Sequence, residues 1–123
     1  MENDSKEGDR MQARAGEWKS GDIFSHRLFN YVAIILGWDP KCSQSEEWIR
    51  GMGVDRLEFG RNQPFCHVVV EDGSKRYVAE ENLIRESFLS NSTIVNLEAA
   101  VEFGQHFCRR DIHSSYRYVP STE

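Results

Sequence analysis

The chain lacks the cysteine pattern, the basic excess and the long apolar run that would each point at once to a class of protein. Cys42, Cys66 and Cys108 are its only cysteines. An odd number without C-x-x-C spacing argues against a disulfide framework and against a zinc ribbon. Cys66 lies in a strand pattern and Cys108 in a helical one, so both read as small apolar core residues of a reducing intracellular compartment, cytoplasm or nucleus. The formal net charge is −5, from 20 acidic and 15 basic residues. A domain that holds DNA through its phosphates carries a basic excess or a dense basic patch. Here Lys75-Arg76 and Arg109-Arg110 are the only adjacent basic pairs, so the charge disfavours DNA as a partner. No apolar run approaches the roughly 20 residues that span a bilayer, and the N-terminus has no apolar signal core.

What is present is a globular composition, 39% hydrophobic and 28% charged over 123 residues, enough for one domain. Residues 1–19 have mixed charge and no period and read as a disordered lead-in. Trp18 is the one residue of that stretch expected to pack, onto the domain edge. Residues 20–123 are read as the single domain.

The clearest local signal is Phe65 to Leu83, FCHVVVEDGSKRYVAEENL. Apolar residues alternate with period two, and Asp72-Gly73 between two strand-forming runs predicts a hairpin closed by a type I′ turn. Upstream, Phe24, His26 and Leu28 share one face of a strand. Asn30 supplies a turn, because asparagine tolerates the left-handed region. Tyr31 to Trp38 is apolar throughout and reads as a strand buried on both faces, with a bulge or bend at Gly37. Lys41 to Asn62 is an insertion. Its Ser43-Gln44-Ser45-Glu46 capping box predicts a short helix over 46–52 that carries Trp48 and Ile49. Asn96 as N-cap and the spacing of Leu97, Val101, Gly104 and Cys108 predict an amphipathic C-terminal helix of about three turns.

Catalytic material is thin. Cys42 with His26 or His67 is the only nucleophile–base pair to consider, and no third residue is spaced to orient it. Cys66 and His67 are adjacent in a strand and point to opposite faces. His106 and Cys108 do not share a helix face. No metal or other cofactor is expected, and no enzymatic activity. Glu71 and Asp72 belong to a turn. The aromatic residues Tyr31, Trp38, Trp48, Phe65 and Tyr77 are the best material for a recognition groove, although a small core needs them too. The candidate partner-binding set is Tyr31, Trp48, Tyr77, His26 and Trp38, with the 41–62 insertion as one wall.

The order and spacing of His26, Tyr31, Ile34-Ile35-Leu36-Gly37-Trp38-Asp39, Trp48, His67-Val68-Val69-Val70-Glu71-Asp72-Gly73 and Tyr77-Val78-Ala79-Glu80-Glu81-Asn82-Leu83 resemble the YccV-like domain. This domain is also called the hemimethylated-DNA-binding or HspQ-type domain. The Trp-Asp-x-x-Cys and Gln-Pro-Phe spellings are similar to the version at the C-terminus of certain eukaryotic F-box only proteins. The resemblance implies a mainly β fold: a small, strongly bent, antiparallel SH3-like barrel with a short inserted helix, to which the sequence adds a C-terminal helix. It implies a binding module without catalytic residues. Bacterial members are associated with hemimethylated DNA and with adaptor roles for ATP-dependent proteases, and the F-box relatives are substrate-side parts of ubiquitin ligases. A protein partner or degradation substrate is therefore expected, with hemimethylated duplex DNA as the alternative and no membrane. One departure stands out. Many members place glycines around the tyrosine, where this chain has Asn30-Tyr31-Val32-Ala33, so the bend is expected to differ.

Overall fold

The computed structural model describes residues 18–85, 89–100, 107–110 and 118–120, the last two segments by their backbone. Residues 1–17 of the expected lead-in lie outside the described residues, as do 101–106 of the expected C-terminal helix. The elements are β1 (Ile23–His26), β2 (Val32–Asp39), α1 (Glu46–Met52), a 3₁₀ helix (Val54–Arg56), β3 (Phe65–Val70), β4 (Lys75–Ala79), a second 3₁₀ helix (Glu80–Asn82), β5 (Leu83–Arg85), α2 (Asn91–Ala99), β6 (Phe107–Arg110) and β7 (Tyr118–Pro120). Five strands form one antiparallel sheet in the order β4-β3-β2-β1-β5, and β6 pairs with β7.

Among the described residues the sheet is not a closed barrel: β4 and β5 are its two edges, and no ladder joins them. Yet the chain passes from one edge to the other through the three residues Glu80–Asn82. Five flat strands would hold their outer members about 19 Å apart. The four Cα steps from Ala79 to Leu83 reach at most about 14 Å. The sheet must therefore curl until its edges approach, and Val78 of β4 and Leu83 of β5 do share one apolar cluster.

Period-two alternation sorts the core. Phe24, Ala33, Ile35, Cys66, Val68 and Val78 point to the inner face, where Trp18 joins them. Burial in this cluster pushes the Cys66 thiol far above its ordinary pKa, which suits an inert core residue. Ile23, Ile34 and Val69 point outward beneath Leu97 of α2. Further along the outer face, Phe65 and Ala79 pack under Ile49 of α1 and Val54. Tyr31–Trp38 is thus buried on both sides, as its composition predicts. The register between β2 and β3 shifts between Ile35 and Gly37. That bulge flips the side chains beyond it, so Trp38 pairs with Cys66 and packs on the inner cluster.

Four expectations change. The β3–β4 turn is not type I′: Gly73 has φ 89°, whereas Asp72 does not have positive φ. The Gly73 N–H donates to the Val70 carbonyl and the Val70 N–H to the Ser74 carbonyl, each at 2.8 Å. This is a turn over Glu71-Asp72 followed by a left-handed glycine, the three-residue alternative for hairpins. The Asp72 carboxylate also accepts from Ser74 N–H at 2.9 Å, and this local bond makes aspartate suit that position. The α1 helix has its expected bounds, but Ser45 rather than Ser43 is the N-cap, accepting from Trp48 N–H at 3.1 Å. Leu28 lies beyond β1 in the turn and is exposed. Finally, α2 begins after Ser90, whose Oγ accepts from Thr93 N–H at 3.2 Å. It ends at Ala99, and Phe107–Arg110 is a strand, not a helical end. The β-branched Thr93-Ile94-Val95 run disguises the helix start in the sequence. Strand pairing with Tyr118–Pro120 overrides the i, i+4 spacing that reached Cys108.

Candidate functional site

The β1–β2 turn is built around His26. Asn30 adopts φ 63°, as its residue type permits. The His26 Nδ1 accepts from the N–H groups of both Leu28 and Phe29, each at 3.1 Å. In the neutral ring the proton is then on Nε2. The imidazole stacks on Phe29 with ring centroids 4.7 Å apart and tilts against Tyr31 at 5.0 Å. Burial, reinforced by the Arg27 charge, lowers the His26 pKa from its usual 6.5. Protonating Nδ1 also removes the acceptor that two backbone donors need. The folded state therefore binds this proton less readily than the unfolded chain. Stability is full above the ordinary histidine value and falls as pH drops through about 6.5 toward the lowered native value. Urea midpoints between pH 8 and pH 5 test this: wild type loses stability on acidification, and His26→Gln, already weaker at pH 8, shows a shallower acid slope. Equal slopes would contradict the assignment.

A second aromatic group is built around Tyr77 on β4. Its ring stacks on Phe65 at 5.1 Å, meets Trp48 of α1 edge-on at 5.6 Å and faces His67 at 4.7 Å. Its hydroxyl donates to Asp39 Oδ2 at 2.7 Å and accepts from Ser43 N–H at 3.0 Å. The same carboxylate oxygen accepts from Ser43 Oγ at 2.8 Å and meets His67 Nε2 at 3.1 Å. The Tyr77 hydrogen bond, with that of Ser43, lowers the Asp39 pKa, while burial raises that of Tyr77. Both groups thus keep the protonation states the network requires. The result is a phenol ring clamped at its hydroxyl and packed among three other rings.

Between the two groups lies an open cleft of about 470 Å³. The edge strand β4 runs through it. Arg76 and Val78 face the His26–Tyr31 side, where the Arg76 guanidinium sits 5.6 Å from the Tyr31 ring centre. Tyr77 and Ala79 face α1, and Lys75 also lines the cleft. The insertion supplies the far wall through Trp48, Met52, Val54 and Leu57. Its 57–63 segment is held by Glu81, whose carboxylate accepts from Glu58 N–H at 3.1 Å, Phe59 N–H at 2.8 Å and Gln63 Nε2 at 2.8 Å.

Of the five candidate residues, His26, Tyr31, Trp48 and Tyr77 line this cleft. Trp38 does not, because the Gly37 bulge turns it into the inner cluster. Sequence reasoning did not include Leu28, Phe29 and Met52, which are 54%, 71% and 64% exposed at the cleft. A signal was available: Leu28-Phe29 is an apolar pair in a turn, where polar residues are the rule. Among the described residues no group of three His, Cys, Asp or Glu side chains is arranged to hold a metal ion. No helix among them is long and apolar enough to cross a membrane.

The family described as "Hemimethylated DNA-binding protein YccV like" matches residues 17–119. Curated relatives named F-box only protein 21 are similar over 63 residues: 52% identical in Pongo abelii and in Homo sapiens, and 51% in Mus musculus. The match covers 51% of this chain and 10% of each of those proteins. The chain thus spans only a small part of the length of the curated relatives it matches. No solved structure matches it.

Proposed function

We propose that this chain, which belongs to the YccV-like family, is a non-enzymatic protein-interaction module. In this reading it acts as a substrate-recognition or adaptor domain in protein turnover inside the cell, linked to a ubiquitin ligase as the F-box relatives' name implies or to an ATP-dependent protease. One observation carries the reading: the β4 cleft gathers two aromatic groups and the exposed apolar side chains of Leu28, Phe29 and Met52 in one place. Exposed apolar patches beside rigid aromatics are where proteins bind each other. Tyr77 is fixed by Asp39 and Ser43, so little side-chain freedom is lost on docking.

The test uses a partner captured by the full chain and then purified. Trp48→Ala and the surface change Met52→Glu are each expected to weaken its binding by about tenfold or more, the scale of a buried anchor. Val95→Glu, on the exposed side of α2, is expected to leave it unchanged. Unfolding midpoints of Met52→Glu and wild type should coincide. Equal binding by all variants would remove the cleft from the account.

A second reading is DNA binding, favoured by the family description and by Lys75 and Arg76 in the cleft. The net charge of −5 works against it. Binding of a hemimethylated duplex that falls steeply with salt and is lost in a Lys75→Glu/Arg76→Glu variant would establish it.

A further inference from the structure

The β1–β2 turn is one wall of the cleft, and a single imidazole holds it. The backbone closes the turn at its ends: the Asn30 N–H donates to the His26 carbonyl at 2.9 Å and the His26 N–H to the Tyr31 carbonyl at 2.8 Å. The N–H groups of Leu28 and Phe29, between them, donate instead to His26 Nδ1, each at 3.1 Å. A backbone donor turned inward needs such an acceptor. The Phe29 ring lies on the same imidazole, their planes 26° apart. His26, itself only 5% exposed, thus carries both the backbone and the aromatic side chain of this exposed apolar wall.

Protonation reverses this arrangement. An imidazolium carries a hydrogen on Nδ1 and accepts nothing, so both N–H groups lose their partner and meet a new donor. Burial and the Arg27 charge both disfavour the charged ring. The other elements around it bring no carboxylate into the cleft lining. From β4 come Lys75 and Arg76, the latter over the Tyr31 ring of β2. From β5, Leu83 stands opposite His26, and Arg85 lies over Trp18. From β3, His67 meets Asp39 on the Tyr77 side. On the connection between β4 and β5, the Glu81 carboxylate accepts from Glu58 and Phe59 and meets Arg27, and Glu80 acts on Cys66 in the inner cluster.

We propose that docking at the cleft is coupled to one proton: the neutral His26 imidazole holds Leu28 and Phe29 in the shape that binds the partner protein, and protonation of Nδ1 releases that wall and the partner with it. This rests on the interaction-module reading and names a regulation of the same site. The sign follows from linkage. A bound partner fixes the turn, so the complex takes up the His26 proton less readily than the free protein. Affinity is full above the ordinary histidine value of 6.5 and declines as pH falls through the lowered native value. One linked proton changes it by at most about tenfold per pH unit.

The first readout needs no partner. In the isotope-labelled full chain, the Leu28 and Phe29 amides and the His26 ring nitrogens are followed by NMR from pH 8 to pH 5. The two amide shifts are expected to titrate together with the ring. Their hydrogen exchange, corrected for the intrinsic effect of pH, is expected to quicken by about tenfold or more. The second readout uses a partner captured by the full chain and then purified. Its affinity is measured at pH 8 and pH 5 for wild type and for His26→Asn, whose amide oxygen accepts from the turn without titrating. Wild type is expected to lose about threefold or more beyond any loss shown by His26→Asn. The amide readout stands on wild-type protein even if the variant folds poorly.

A ring still neutral at pH 5, or amides that stay unchanged while the ring titrates, would overturn the proposal. Equal losses of affinity in wild type and His26→Asn would do the same, because the proton then acts at another group such as His67 or on the partner. If Trp48→Ala and Met52→Glu weaken the partner at pH 8 while those losses are equal, the proton coupling alone is lost and the module reading stands. If neither variant weakens it, the cleft is not the docking surface and both are lost.

Discussion

Trp18→Ala is expected to destabilise the protein by about 3–5 kcal/mol, the usual cost of emptying a buried tryptophan site. Trp18 is 3% exposed and belongs to the inner cluster. Its ring meets Phe24 edge-on at 6.4 Å, and the Arg85 guanidinium lies over it, 4.1 Å from the ring centre. It therefore bridges β1 and β5, the strand that forms one free edge. Small domains have only about 5–15 kcal/mol in total, so this single change should leave a marginal fold. Trp18→Phe keeps most of the apolar contact and should lose far less. Urea unfolding of the three proteins is the check, and a Trp18→Ala loss under about 1 kcal/mol would show that the ring does not hold the edge.

The second large effect is expected at Glu81. Its side chain is 3% exposed and satisfies three N–H donors of the 57–63 segment while its own N–H donates to Gln63 Oε1 at 2.9 Å. Arg27 approaches the same carboxylate at 3.7 Å. Glu81→Ala leaves these donors without their acceptor, at a cost of about 3 kcal/mol. Because the segment forms the far wall of the cleft, a partner should also bind more weakly, and amide exchange at Glu58 and Phe59 should accelerate. Glu81→Gln keeps one carbonyl oxygen and should fall between. If exchange at Glu58 and Phe59 is unchanged in Glu81→Ala, the staple does not hold the wall.

These two residues also mark where the sequence is readable and where it is not. The β2 strand, the Asn30 turn, the Gly37 irregularity and the α1 helix follow from local chemistry: β-branched runs, a residue tolerant of positive φ, a strand glycine and a serine N-cap. Trp18 stands in a polar segment without period, and only the curl of the sheet creates the site it fills. Glu81 reads as a solvated turn residue, because its partners are some 20 residues away in sequence. The α2 start was hidden by β-branched residues, and β6 by a helical spacing that long-range pairing overrode.

Four of the five candidate binding residues converge because strand parity is local, but Trp38 departs because a single bulge reverses that parity. The apolar wall at Leu28, Phe29 and Met52 depends on how the turn and the insertion meet across β4, which no local pattern encodes. The curl of the sheet follows from one short connection, Glu80–Asn82, once the strand order is known.

The central claim is that the β4 cleft is the surface through which this chain binds its partner. Hydrogen–deuterium exchange on the full chain, alone and with a purified captured partner, tests it most directly. The account predicts protection at Tyr77, in the Leu28–Asn30 turn and along α1, which line the cleft. Protection confined to α2, with Tyr77 and the Leu28–Asn30 turn exchanging as in the free protein, would contradict it.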